Sequence, residues 1–291
     1  MHPVLIDFGT ISLFGNTYHP TLSVYGLMIA LGFMIGAQLG VREARRIDTS
    51  KERNFDLFIN DLTFWILVAA IVGARALFII VEWDRYAGQP GKIIKIWEGG
   101  LVFYGGFIGA VLFSIYYSMR KGRDFFLVAD TLIPSVALGH FFGRLGCLAA
   151  GCCWGTEVSP DFVFGVQFPD GALAHSSMEA SGQLPLGAEH TPHLHPVQLY
   201  ESFGELMIFF ALLFVRTGKR FHGQVLLTYL FLYPLLRTSL EFVRGDKARG
   251  QYEVLGSLVS TSQIISVIIA CIALVLLVVL VRRRAAEPAA A

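Results

Sequence analysis

The stretch Val254–Val281, VLGSLVSTSQIISVIIACIALVLLVVLV, contains no charged residue and ends against Arg282, Arg283 and Arg284. A helix needs about 20 apolar residues to cross the hydrocarbon core of a bilayer. This stretch therefore predicts a membrane span with a basic stop at one end. Two further stretches are free of charge, Leu22–Gly40 and Leu101–Met119. Four more are apolar but interrupted: Phe64–Val81 by Arg75, Phe125–Ala150 by Asp130 and Arg144, Val197–Val215 by Glu201 and Glu205, and Val225–Val243 by Arg237 and Glu241. The pattern predicts an all-α polytopic membrane protein with seven transmembrane helices. Residues 1–291 read as a single transmembrane domain, with one long outer segment, 151–195, between spans four and five.

Composition points the same way. Hydrophobic residues make up 54% and charged residues 15%, with mean hydropathy +0.59, against about 45–50% and about 25% in soluble domains. Such a chain is too apolar to be disordered. Lys+Arg 23 against Asp+Glu 22 leaves a net charge of +1, so it lacks the basic field of a nucleic-acid binder and no nucleic-acid partner is expected. Four cysteines do not make a disulfide scaffold. The first 20 residues hold no Lys or Arg, so no signal-peptide n-region is expected.

The basic residues orient the spans. Fourteen lie on one side, in loops one, three and five and in the tail; six lie on the other, around Arg85–Lys95 and Arg244–Arg249. This bias predicts an outside N-terminus and a cytoplasmic C-terminus. Trp83 and Trp97 then fall at outer span ends, where interfacial aromatics belong.

Only Arg75, Arg144 and Arg237 remain inside spans. An arginine at the centre of a span costs roughly 2.5–3.5 kcal/mol on insertion scales, so each needs an anionic partner. Glu201, Glu205 and Glu241 offer ion pairs. The alternative is that the three arginines, at a similar depth, bind an anionic ligand such as a phospholipid phosphate.

Tyr233, Arg237, Glu241 and Arg244 are spaced 4, 4 and 3 apart and share one helix face. Arg237 and Glu241 can pair along it. After His195-Pro196, residues Gln198, Glu201 and Glu205 also share a face; a carboxylate pair there should hold a partner, with Arg144 or Arg237 the natural candidate. Gly99, Gly100, Gly105 and Gly106 surround Tyr104. They suit either close backbone approach to a ligand or helix packing, with Gly105 and Gly109 as a small-xxx-small pair. Span four ends Gly139-His-Phe-Phe-Gly143-Arg144-Leu-Gly146-Cys147, followed by Cys152 and Cys153. The three cysteines read as a disulfide or reactive thiol, or as packing. A metal site with His140 is disfavoured because Cys147 and Cys152 lack zinc-finger spacing, so neither metal nor cofactor is expected.

Taken together the segments resemble the prolipoprotein diacylglyceryl transferases, bacterial inner-membrane enzymes. The matching pieces are Ser23-Val-Tyr-Gly-Leu-Met28, Val72-Gly-Ala-Arg75, Trp97-Glu-Gly-Gly100, Tyr104-Gly-Gly106, Gly143-Arg-Leu-Gly146, Trp154-Gly155, His195-Pro-Val-Gln-Leu-Tyr-Glu201, Tyr233-Pro-Leu-Leu-Arg237 and Glu241-Phe-Val-Arg244. They occur in the family's order, from about Tyr25 to Arg249. The resemblance implies transfer of the diacylglyceryl group of phosphatidylglycerol to the lipobox cysteine of a preprolipoprotein, with glycerol phosphate leaving. It implies that Arg144 and Arg237 stabilise the leaving group, that Arg75 and Arg244 support the site, and that Tyr25, Tyr233 and Glu241 line the cavity. It also implies membrane lipid as a partner, and a periplasmic side for the N-terminus and residues 151–195.

The sequence departs from the family at informative places. Tyr104 stands where the family commonly has a histidine proposed as base, and a tyrosine with pKa near 10 is a poor base at neutral pH. Cys147, Ala150 and Cys152 replace two asparagines and a glutamate. Either the arginines suffice to activate the thiol, or the chain is a diverged paralogue that binds phospholipid with another acceptor or little activity. Other classes are a thiol-redox membrane enzyme using Cys147 with Cys152 or Cys153, an anion transporter, and a lipid-binding subunit. The histidines of the outer segment, His175, His190, His193 and His195, are too irregular for a metal site, and a solvated loop gating the acceptor is expected there.

Overall fold

A computed structural model describes residues 4–13, 16–18, 20–48, 54–86, 88, 90–95, 99–246, 251–254 and 257–286. Helices dominate. In chain order they are α1 (Val24–Ile47), α2 (Asn54–Val81), the short α3 (Trp83–Tyr86), α4 (Phe103–Arg120), α5 (Phe125–Ala150), α6 (Leu173–Ala180), α7 (Val197–Thr217), α8 (Gln224–Glu241) and α9 (Thr261–Ala286). Each of the seven apolar stretches contains one of these helices or most of it. Five helices, α1, α2, α5, α7 and α9, are long and apolar enough to cross a membrane. At 18 residues each, α4 and α8 are shorter. Trp97, an expected interface anchor, lies outside the described residues.

Short antiparallel hairpins were not foreseen: β1 (Val4–Asp7) with β4 (Thr21–Ser23), β2 (Ile11–Leu13) with β3 (Asn16–Tyr18), and β5 (Gln251–Val254) with β6 (Ser257–Ser260). The last hairpin shortens the expected final span at its start. There Ser260 and Gln263 form a reciprocal cap: the Ser260 N–H donates to Gln263 Oε1 at 2.9 Å, and the Gln263 N–H donates to Ser260 Oγ at 3.2 Å. Two otherwise unsatisfied donors are thereby paired, which fixes the helix start at Thr261.

The chain divides into two compact units, Ala37–Leu132 and the remainder. In Ala37–Leu132 the core gathers Ala44, Phe55, Phe58, Ile59, Leu62 and Val128. Phe58 stacks on Tyr117, centroids 5.3 Å apart. Helices α2 and α4 meet along small residues: a Cβ on Gly73 would strike the Gly105 carbonyl, and one on Gly109 would lie 2.6 Å from the Ala69 carbonyl. Of the two readings of Gly105, the structure places it in helix packing.

In the other unit, α1 lies on α5, where a Cβ on Gly32 would meet Phe142 at 2.9 Å and one on Gly36 the Ser135 carbonyl at 3.2 Å. Residues 151–195 are not a bare loop. They form a head that encloses α6, with Phe168, Ala172, Ala174, Met178, Leu184 and Leu194 as its own core. Sequence reading missed it because its apolar residues follow no helical or strand period. The head is tied to the end of α8 and the start of α7 by backbone bonds. Thr156 N donates to Val243 O at 2.9 Å, His195 N to Thr156 O at 2.9 Å, and Gly245 N to Trp154 O at 3.1 Å.

Replacing Gly105 with leucine should destabilise the detergent-solubilised protein by about 1–3 kcal/mol through overpacking. Gly218→Ala, where a Cβ would meet nothing within 4 Å, should leave it unchanged; thermal unfolding of both variants checks this.

Candidate active site

The last turns of α5 carry His140, Arg144 and Cys147 at spacings of 4 and 3, one face of the helix. Opposite them α7 presents Gln198, Glu201, Ser202 and Glu205, all at most 2% exposed. A buried carboxylate must be compensated, because its desolvation costs several kcal/mol. Arg144 does so for Glu201, with Nη2 2.8 Å from Oε1. His140 does so for Glu205, with Nδ1 2.6 Å from Oε1, and its Nε2 lies 3.9 Å from Glu201 Oε1. Of the two arginines expected to serve the α7 carboxylates, Arg144 pairs with Glu201, and the partner of Glu205 is a histidine. Gln198 Nε2 donates to the Cys152 carbonyl at 2.6 Å, and Ser202 Oγ to the Phe141 carbonyl at 3.2 Å. These two bonds lock α7 to the end of α5.

Helix α8 supplies the third wall. Tyr229, Tyr233, Arg237 and Glu241 follow at intervals of four. Tyr229 and Tyr233 stack with centroids 5.6 Å apart, and the Tyr233 ring lies 5.1 Å from the His140 ring. Arg237 Nη2 pairs with Glu241 Oε2 at 2.8 Å, the i,i+4 pair expected from spacing. Beyond the helix, Arg244 makes a bidentate pair with Asp246 at 2.6 and 2.8 Å, and its Nη1 lies 3.9 Å from Glu201 Oε2.

Not every donor is used. The Nε of Arg144 and the Nη1 of Arg237 are buried without a hydrogen-bond partner among the described residues. Leaving such a donor unmade costs about 1–3 kcal/mol, more for a charged group. Apart from the ion pairs above, Arg244 Nη1 and the oxygens of Glu201 and Glu205 are likewise buried without a hydrogen-bond partner among the described residues, and spare guanidinium donors shielded from water suit an anionic ligand.

The remaining predicted residues fall in different surroundings. Tyr25 is half-exposed at the start of α1, its Cδ2 3.1 Å from where a Cβ on Gly146 would stand, and Gly143 faces Ile29. Arg75 spends all its donors on backbone. Nε bonds the Ile93 carbonyl at 2.9 Å, Nη1 those of Gly99 and Gly100 at 2.7 and 3.1 Å, and Nη2 those of Lys92 and Lys95 at 2.8 and 3.3 Å. It anchors the segment before α4, and its N–H groups are directed at carbonyls. Tyr104, 70% exposed, opens α4 with its ring edge-on to Phe103. Gly106 faces Ala70 of α2. Arg75, Tyr104 and these glycines belong to the Ala37–Leu132 unit.

Sequence reading assigned His140 no place beside the carboxylates and did not single out Asp246. The first was detectable, since it lies four residues before Arg144 on the same face. The cysteines are also closer than their spacing suggested: the Sγ atoms of Cys147, Cys152 and Cys153 lie within 4.8 Å of one another. Hydrogen bonds from the Cys147 and Cys152 thiols, with Arg244 and Arg144 nearby, pull the Cys153 thiol below its ordinary range.

Comparison with known proteins identifies the family. A family model described as prolipoprotein diacylglyceryl transferase matches residues 15–279. Proteins named phosphatidylglycerol–prolipoprotein diacylglyceryl transferase are similar along most of their length. That of Bacillus velezensis is 32% identical over 254 residues, 87% of this chain and 86% of that protein. That of Clostridium tetani is 32% identical over 267 residues, 91% and 92%. That of Bacillus licheniformis is 35% identical over 222 residues, 76% of each. With a buried arginine–carboxylate site on α5, α7 and α8 and a family match that covers nearly all of it, this chain belongs to the prolipoprotein diacylglyceryl transferase family.

Proposed function

We infer that this protein transfers the diacylglyceryl group of phosphatidylglycerol to the lipobox cysteine of preprolipoproteins. The carrying observation is the pair of spare, buried guanidinium donors on Arg144 and Arg237. They suit the phosphodiester of an anionic phospholipid in the membrane plane. The thiolate sulfur attacks the glyceryl carbon; the new C–S bond forms as the C–O bond to phosphate breaks, and glycerol phosphate departs with the electron pair. Charge grows on the phosphate oxygens as the bond breaks, and fixed guanidinium forks stabilise it. Glu201 holds Arg144, and Glu241 holds Arg237. Tyr233, beside His140, walls the cavity.

Seven spans complete the reading, α4 and α8 included, in one domain in the bacterial inner membrane. The N-terminus and the 151–195 head are periplasmic and the C-terminus cytoplasmic. The excess of basic residues in loops one, three and five and in the tail supports this orientation. Tyr104 stands at the family's histidine position, and the arginine-rich site removes the need for a base there. The diverged-paralogue reading retains the altered positions in its favour.

Purified protein in nanodiscs, given phosphatidylglycerol and a lipobox peptide, should release glycerol phosphate and add a diacylglyceryl mass to the peptide. Arg144→Lys and Arg237→Lys should each slow transfer by about 10²–10³-fold, the loss expected when one oxyanion-type donor is misplaced. Tyr104→Phe should retain activity. Absence of transfer by the unaltered protein, with phospholipid still bound, would overturn the transferase in favour of the paralogue.

Fluorescent-protein and alkaline-phosphatase fusions at the C-terminus should be respectively bright and inactive. The opposite pair would reverse the orientation.

A further inference from the structure

Helix α5 ends in a way that gathers sulfur. Gly151 takes a left-handed backbone, φ 69°, and the chain doubles back. Its N–H donates to the Leu148 carbonyl at 3.1 Å, and the Cys152 N–H donates to the Cys147 carbonyl at 3.1 Å. This is the paired 5→2 and 6→1 bonding of a Schellman cap with Ala150 as the cap residue, which brings the residue two beyond the cap against the residue three before it. Here those two residues are Cys152 and Cys147. A Cβ on Gly151 would come 2.8 Å from Ala172 of the head, so the turn is held from outside as well. Cys153 then adopts φ 61°, the one non-glycine residue with a left-handed φ among the described residues. Such a conformation costs roughly 1–2 kcal/mol for a residue bearing a Cβ, and it turns the third thiol back onto the other two.

Three partly buried thiols within 4.8 Å of one another are close to the spacing a metal imposes. Zinc–sulfur bonds of about 2.3 Å in a tetrahedron set the sulfurs about 3.8 Å apart, so the cluster needs to contract by at most about 1 Å. Three thiolates around Zn2+ leave one negative charge, and two arginines belong to the same region: Arg144 lies three residues before Cys147 on α5, and Arg244 is bridged to Gly155. Pairing any two cysteines as a disulfide would strand the third thiol. Three protein ligands and one open position is the pattern of a zinc site that does chemistry rather than only bracing a fold.

We propose that Cys147, Cys152 and Cys153 hold a Zn2+ ion through their sulfurs and leave its fourth position to the thiol of the acceptor peptide. The second half of this rests on the transferase reading; the first half does not. The acceptor R–SH binds as R–S⁻ and its proton passes to solvent. The zinc-held sulfur attacks the glyceryl carbon, the C–S bond forms, and the C–O bond to phosphate breaks with its electrons going to glycerol phosphate. Zinc changes no oxidation state, and the thioether, a weaker ligand than a thiolate, dissociates. The cysteines that replace the family's polar residues would thereby add to the thiol activation that the arginines supply.

Full-length protein purified reduced and without chelator should contain about one zinc per chain by elemental analysis, as a three-sulfur site requires. Cys147→Ser, Cys152→Ser and Cys153→Ser should each lower that content at least about tenfold, whereas Cys271→Ser in α9 should not. Replacement of zinc by Co2+ should give thiolate-to-metal charge-transfer absorption and tetrahedral d–d bands in the unaltered protein, a readout independent of how the variants fold. A lipobox peptide should shift the d–d bands, and its Cys→Ser analogue should not. Negligible zinc together with no cobalt–thiolate band would overturn the metal site. A metal site whose spectrum is indifferent to the peptide thiol would overturn the acceptor role. Both readings are made without transfer, so they stay distinct from a failure of the transferase assay.

Discussion

Two carboxylates on an apolar helix, Glu201 and Glu205, have no contact with solvent, and much of the surrounding structure follows from that. In a low-dielectric setting an uncompensated carboxylate is destabilising by several kcal/mol, so the fold must bring cations to it. Arg144 and His140 come from α5 and Arg244 from beyond α8, and Gln198 and Ser202 fasten α7 in register so that the charges meet. The same requirement explains why three helix ends converge at one point. Removing either partner would leave the other charge buried and unpaired. The network therefore holds the arginines still before any ligand arrives, and a guanidinium already oriented need not reorganise as charge develops.

Arginine performs two unlike tasks in this chain. Arg75 satisfies five carbonyl contacts and is consumed by the backbone it organises. Arg144 and Arg237 each meet one carboxylate and retain donors. Both tasks use the planar fork, and neither could be done by a lysine, whose ammonium cannot span diverging acceptors.

The helices were legible because hydrophobic runs of span length are a strong signal, and Phe125–Ala150 is recovered to the residue. The Arg237–Glu241 pair was legible because it lies within one helix, where spacing determines contact. The Glu205–His140 pair was not, since it joins helices far apart in sequence and nothing local encodes it. Arg75 misled because intramembrane charge suggests a ligand, while its partners are carbonyls in a glycine-bearing segment that has no periodicity. The closeness of the three cysteines was not legible, because a helix cap folds a five-residue separation back on itself.

The backbone braid that joins Trp154–Thr156, Val243–Gly245 and His195 has a mechanical meaning. Three segments remote in sequence share one short stretch of ladder, so none can shift alone. Arg244 is itself a rung, bridged to Gly155, the second residue after Cys153. Any displacement of the head would pull on the segment that carries Arg244, so the head's position and the placement of that charge are a single degree of freedom.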